Sequence, residues 1–163
     1  MNEEDLEMVL KWRNSDHIRQ YAISKEIISL KTHTQWFSTL KEKGDLYFII
    51  ESDNSDVGLI WANRFQADSC ETGMYIYERE MQNSLFSYRV SLTLNEYLFS
   101  EKNCNSISCE ILNENSRSAR FTLSLGYKET NKNDTLSTYS LTKEAFQPHF
   151  KKIAKLLNKS SKK

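Results

Sequence analysis

The chain of 163 residues, 39% of them hydrophobic, is one domain's worth of sequence and is long enough to bury a substantial core. Its 22 Lys and Arg balance 22 Asp and Glu, so no global basic field exists to gather a polyanion; a general nucleic-acid binder is disfavoured, and a local patch stays open. No signal peptide opens the chain and no apolar run reaches membrane-spanning length, so a cytoplasmic protein with no membrane span is expected. Cys70, Cys104 and Cys109 follow no metal-ligand spacing, which predicts buried or half-buried structural thiols and no metal site.

Glu3 to Arg13 reads as a helix, with Leu6, Val9, Leu10 and Arg13 at helical offsets and acidic residues in the first turn, where the helix dipole favours them. Trp12 is expected in the core. Arg13 has two readings, a surface cation or an acceptor-side guanidinium suited to phosphate or carboxylate, and Asn14 either makes the C-terminal turn or joins it there. Ser29 or Thr32 caps a second helix carrying Trp36, Phe37 and Leu40 and stopped by Gly44; His33 falls in its first turn, where a surface or capping role is the ordinary one. Leu46 to Ile50 and Val57 to Ala62 are strands joined by a polar turn, and with Thr72 to Tyr77 they form an antiparallel meander.

Glu78 to Ser84 breaks the strand pattern. From Leu85 to Phe99 apolar residues return at helical spacing around most of the circumference, which predicts a helix buried between layers. Ser106 to Ile111 is the next strand, and Asn113 or Asn115 caps a short helix ending at Leu125 with Gly126 as a left-handed C-cap. Strand, helix, strand in this order implies a right-handed crossover and a parallel pair. After a turn at Asn131 to Asp134 comes a last strand near Leu136 to Leu141. From Thr142 a basic amphipathic helix sets Phe146, Phe150, Ile153 and Leu157 on one face, with Pro148 fitting near its start or at a kink. One domain over 1–163 is expected, with 1–141 as core and 142–163 as a docked helix and tail.

A strand feeding a helix through a short polar turn leaves unpaired amides at the helix N-terminus, so Gln82 to Ser87 is a candidate diphosphate seat. Gln82-Asn-Ser-Leu85-Phe-Ser87 resembles the Gln/Arg-x-x-Gly-x-Gly/Ala turn of the GCN5-related N-acetyltransferases, matching at Gln82 and departing at Leu85 and Ser87. Asn115-Ser-Arg-Ser118 through Leu125-Gly126-Tyr127 resembles that family's Asn-x-x-Ala/Ser followed by a Gly-Phe pair. Leu6 to Asn14, Ile18 to Tyr21 and His33 to Phe37 resemble the opening of a branch holding amino-sugar N-acetyltransferases of the pseudaminic acid pathway and ribosomal-protein N-terminal acetyltransferases.

The resemblance implies an α/β fold (α+β) with a mixed, mostly antiparallel sheet flanked by helices, a splayed parallel strand pair and a C-terminal helix. A strand precedes the first helix in that family; Met1 to Asn2 leaves no room for a full one, so a short sheet edge is expected, and a homodimer in which another protomer supplies it stays open. The cofactor implied is acetyl-CoA, held by Ile76, Tyr77, Gln82, Asn83, Ser84, Leu85, Phe86, Ser87 and Asn115. Direct transfer to an amine needs a base, for which Glu71, then Glu78, are the best-placed carboxylates. Arg13, Asn14 and His33 are the acceptor-binding candidates, the acceptor being a small-molecule amine, a nucleotide-linked amino sugar first. Thr122 stands where the family places a tyrosine acid. Leu85, Ser87 and Thr122 keep a second reading alive, a non-catalytic binding module on the same fold, and a protein N-terminal acetyltransferase remains a third.

Overall fold

The structure, a computed structural model, describes residues 1–82 and 84–160, without the side chains at 152, 154 and 156–160. Asn2 closes a capping box over a 3-10 turn at Glu3–Asp5, which leads into α1 (Leu6–Asn14) and a one-turn α2 (Asp16–Arg19). Of the two cap candidates for α3 (Leu30–Lys43), it is the Ser29 hydroxyl that accepts from the Thr32 amide, and Gly44 ends the helix at φ 68°. The meander follows as β1 (Leu46–Ser52), β2 (Ser55–Gln66) and β3 (Ser69–Ile76), then a 3-10 turn at Arg79–Met81 and α4 (Leu85–Ser100). The chain closes with β4 (Ser106–Leu112), α5 (Ser116–Ser124), β5 (Lys128–Lys132), β6 (Leu136–Thr142) and α6 (Lys143–Ser160).

One six-stranded sheet runs β1-β2-β3-β4-β6-β5, antiparallel except where β3 meets β4. That parallel pair holds through only three partners, Ser69 with Ser106, Cys70 with Ile107 and Glu71 with Ser108. Beyond it β3 stays with β2 as far as Ile76 and β4 stays with β6 as far as Leu112, so the two strands part and open a gap.

The sheet is covered on both faces. The main core packs α4 and α6 against it through Leu98, Phe99, Ile107, Leu141 and Phe146, each at most 2% exposed. Each such side chain contributes roughly 1.5–3 kcal/mol of transfer free energy. A smaller core of Val9, Trp12 and Leu59 forms under α1, with Tyr47, Trp61 and Tyr75 packed against it. All three cysteines are free, and Cys70 and Cys104 are buried with their Sγ atoms 4.0 Å apart.

In keeping with the expected short sheet edge, no strand precedes α1; the Met1 ammonium instead donates to the Tyr47 carbonyl of β1, at 3.1 Å. Two departures from the sequence reading have physical causes. Strand β5 lies where only a turn was expected after Thr130, because all five of its residues are exposed and carry no apolar alternation, while β6 still supplies its ladder partners. Pro148 sits inside α6, within a helix held down by Phe146, Phe150 and Ile153; Leu157 lies outside the described side chains. That helix also passes over Gly126, which is left-handed at φ 99°, and a Cβ there would meet the His149 ring at 2.7 Å.

Candidate active site

A cavity of about 500 Å³ occupies the gap between β3 and β4 and is lined from both faces of the sheet. On the α1 face its walls include Arg13, His17 and Tyr75; on the α4 face they include Ser87, Ser91, Asn95 and Phe121. The ladder between the two strands ends at Glu71, so the backbone of β3 from Thr72 onward faces the gap without a β4 partner.

The sequence-derived donor residues fall into three groups. Ile76, Gln82, Ser87 and Asn115 line the cavity. Gln82 bridges its mouth, Nε2 donating to the Ile76 carbonyl at 2.8 Å and Oε1 accepting from Arg117 Nη2 at 3.3 Å. Ser84, Leu85 and Phe86 stand at the start of α4 and are not among the residues lining the cavity. Ser84 is the N-cap, its hydroxyl accepting from the Phe86 amide, while Phe86 packs on the main core. Leu85 is 45% exposed, so the side chain that replaces the family's glycine neither enters the core nor fills the seat. Tyr77 does not join them: its amide donates to Val57 at 2.7 Å, its carbonyl pairs with His17 Nε2 at 3.0 Å, and its ring stacks on Trp12. Asn83 lies outside the described residues.

Of the acceptor candidates, only Arg13 reaches the cavity. Its Nη2 donates to the Ser24 carbonyl at 2.6 Å, and Nη1 is buried with no partner among the described residues. Burial lowers its pKa, opposed by the nearby Tyr75 hydroxyl and reinforced by Arg19, yet a guanidinium stays charged. Asn14 is a latch: it exchanges two 2.8 Å hydrogen bonds with the backbone of Ile28 and so holds the segment 20–28 over the cavity. His33 is elsewhere. It is 4% exposed and stacked on Trp36 at 4.9 Å, because α1 packs over the first turn of α3.

That burial has a pH consequence. Desolvation lowers the His33 pKa below its ordinary 6.5, partly offset by a hydrogen bond with the Leu6 backbone. The unfolded chain therefore takes up a proton before the folded one does, so the contribution is complete above 6.5 and is lost as pH falls through 6.5 towards the lowered value. Urea unfolding of His33→Gln over that range should show a flatter acid limb; an unchanged limb would exclude His33 as its source.

Neither predicted base lines the cavity. Glu71 accepts from Arg64 Nη1 at 3.0 and 2.9 Å, since the left-handed Arg64 (φ 51°) at the β2 irregularity turns its side chain onto the end of β3. Glu78 lies past β3, where its amide donates to the Val57 carbonyl at 3.3 Å. The one carboxylate among the described lining residues is Glu110 on β4, two positions beyond the last β3–β4 pair. Sequence reasoning also missed His17, Tyr75, Arg117, Asn95 and Tyr127. Arg117 and Tyr127 had a signal, lying inside the quoted Asn115 to Ser118 and Leu125 to Tyr127 segments.

Burial pushes the thiol of Cys109, which also lines the cavity, up to about 12, so it stays protonated and is no nucleophile. The arrangement thus has a guanidinium and a carboxylate on the α1 face, a second guanidinium and a helix N-terminus on the other, and an open strand edge between. It suits a long donor threaded through the sheet towards a small anionic acceptor.

The acetyltransferase (GNAT) domain family matches residues 1–128. Acetyltransferase PseH of Campylobacter jejuni (serotype O:23/36, strain 81-176) is 29% identical over 76 residues, covering 46% of this chain and 48% of PseH. The match thus spans about half the length of this curated relative. Among solved structures, FdhC, a nucleotide-linked sugar GNAT, superposes with a TM-score of 0.80 at 23% identity, over 94% of this chain and 90% of its own. Aminoglycoside acetyltransferase AAC(6')-Ib in complex with coenzyme A does so at 0.77 and 17% identity, over 91% and 95%. With its mixed sheet, its splayed parallel pair and a family match over residues 1–128, this chain belongs to the GNAT acetyltransferase family.

Proposed function

We propose that the protein is an acetyl-CoA-dependent N-acetyltransferase whose acceptor is the primary amine of a nucleotide-linked amino sugar. One observation carries this: a single cavity connects the start of α4, with Arg117 at its mouth, to Arg13 on the opposite face of the sheet. Acetyl-CoA is the acyl donor and is consumed as a substrate. The residues fit it, since the first turn of α4 and Arg117 favour a diphosphate and the unpaired edge of β3 from Thr72 suits amide groups of the arm. Glu110 is the base that takes a proton from the acceptor amine, directly or through one water. Arg13 Nη1 and the buried Tyr75 hydroxyl, neither with a partner among the described residues, receive the acceptor's phosphate. The similarity to PseH and to FdhC supports a sugar acceptor over a peptide N-terminus.

Calorimetric titration with acetyl-CoA and with CoA is the first test, with micromolar affinity, on the order of −8 kcal/mol, expected. Release of free CoA should then require a nucleotide-linked amino sugar and not a peptide amine. Absence of heat and of thermal stabilisation would favour the non-catalytic module instead, which the departures at Leu85, Ser87 and Thr122 motivate.

A further inference from the structure

Helix α4 is apolar around most of its circumference, yet it carries three buried polar residues on one stripe. Ser87, Ser91 and Asn95 are 4%, 8% and 2% exposed, lie four residues apart, and all line the cavity. The stripe begins in the first turn of the helix and runs about 12 Å along it. Ser91 spends its hydroxyl on Met74 Sδ at 3.3 Å. Asn95 is different. Its Oδ1 accepts from the Tyr127 hydroxyl at 3.3 Å, which leaves Nδ2, with two hydrogens, buried and without a partner among the described residues. The Tyr127 hydroxyl also lies 3.5 Å from Thr72 Oγ1, which donates to the Ser108 carbonyl at 3.2 Å. Thr72 is the first residue of β3 past the last β3–β4 pair, so this cluster sits where the strands begin to part.

An orphaned buried amide costs about 1–3 kcal/mol, and at the wall of a cavity its natural partner is a ligand. Resting on the acetyl-CoA reading above, we infer that Asn95 Nδ2 donates a hydrogen bond to the sulfur of the acyl thioester and to the thiolate it becomes, with Tyr127 as the positioning residue. An arm anchored by its diphosphate at the start of α4 and lying along the stripe brings its far end, which carries the thioester, to Asn95. In the transfer the amine nitrogen forms the new C–N bond, the C–S bond breaks with its electron pair going to sulfur, and the amine proton goes to Glu110. The thiolate keeps that pair under the Asn95 amide, which stays protonated throughout. Thr122, at the place of the family's tyrosine acid, is 7% exposed and lines the cavity, but an alkyl hydroxyl cannot match a phenol as an acid toward a thiolate. Burial also holds the Tyr127 phenol neutral, raising its pKa well above the ordinary 10.0, so it is suited to aim an amide rather than to surrender a proton.

The test uses the full chain as wild type, Asn95→Leu and Tyr127→Phe, titrated with acetyl-CoA and with desulfo-CoA, which keeps the diphosphate and the arm but lacks the sulfur. Asn95→Leu should leave the melting temperature close to that of wild type, because losing an unpartnered amide offsets the loss of the acceptor for the Tyr127 hydroxyl. It should weaken acetyl-CoA about 3- to 10-fold and desulfo-CoA less than about twofold. The thiol of bound CoA, followed by the ultraviolet absorbance of its thiolate, should titrate about one pH unit higher than in wild type. Tyr127→Phe should shift both readouts in the same direction by less. Equal weakening of the two ligands, or a bound thiol that titrates identically in all three proteins, would overturn the assignment. Wild-type protein that binds neither ligand would overturn the acetyl-CoA reading itself and the assignment with it, a failure visible before any variant is made.

Discussion

Replacing Arg13 with alanine is expected to lower kcat/KM for the sugar-nucleotide acceptor by about 10- to 150-fold, mainly through KM, because a charge-assisted hydrogen bond is worth about 1.5–3 kcal/mol. The guanidinium stands at the α1 end of the cavity with Nη1 buried and without a partner among the described residues, so that nitrogen's donors are unspent. Affinity for CoA should stay within about twofold, since the diphosphate seat lies across the sheet. Arg13→Lys should recover only part of the loss, a point charge replacing a planar fork. Arg13 also holds the Ser24 carbonyl, so the comparison that matters is between the two ligands. Steady-state kinetics with calorimetry on the same preparations decides it. A loss shared equally by acceptor and CoA would mean that the segment 20–28 had collapsed, and an unchanged KM would remove Arg13 from the acceptor site.

The second large effect is on stability. Phe146→Ala should cost about 3–5 kcal/mol, seen as a fall in melting temperature on the order of 10 °C. Phe146 is 1% exposed and wedged between Phe99 and Phe150, with ring centroids at 5.1 and 5.2 Å. The void would open beneath α6 and against α4, where the neighbouring rings belong to rigid elements and cannot close it. Phe150, only half-buried, should cost less when truncated. A loss for Phe146→Ala below about 1 kcal/mol would mean that α6 is a loosely docked appendage rather than part of the core.

Local physics made several elements legible. Ser29 and Asn115 accept from the amides that their positions as N-caps require, and Gly44 and Gly126 take the left-handed conformations that close the helices before them. The burial of α4 and the parallel β3–β4 pair followed from periodicity and element order. What failed were statements about which side chain faces what. His33 looked like an exposed first-turn residue because a helix N-terminus is usually wet, and the packing of α1 over α3 buried it. Glu71 looked well placed because it ends a strand, but the irregularity between Asn63 and Gln66 brought Arg64 onto it. His17 belongs to a single turn too short for any periodic signal.

The sequence by itself determined the order of the longer strands and helices, the caps at Ser29, Gly44, Asn115 and Gly126 and the apolar stripes that make the core, since each of these is set by residues within a few positions of one another. Only the tertiary structure decided that β3 and β4 part after Glu71 and Ser108. That parting brings Arg13, Asn95, Glu110 and Arg117, drawn from four separate elements, around one cavity. The length over which two strands stay paired depends on what β2 and β6 demand of their other edges, a competition between distant segments that no local pattern records.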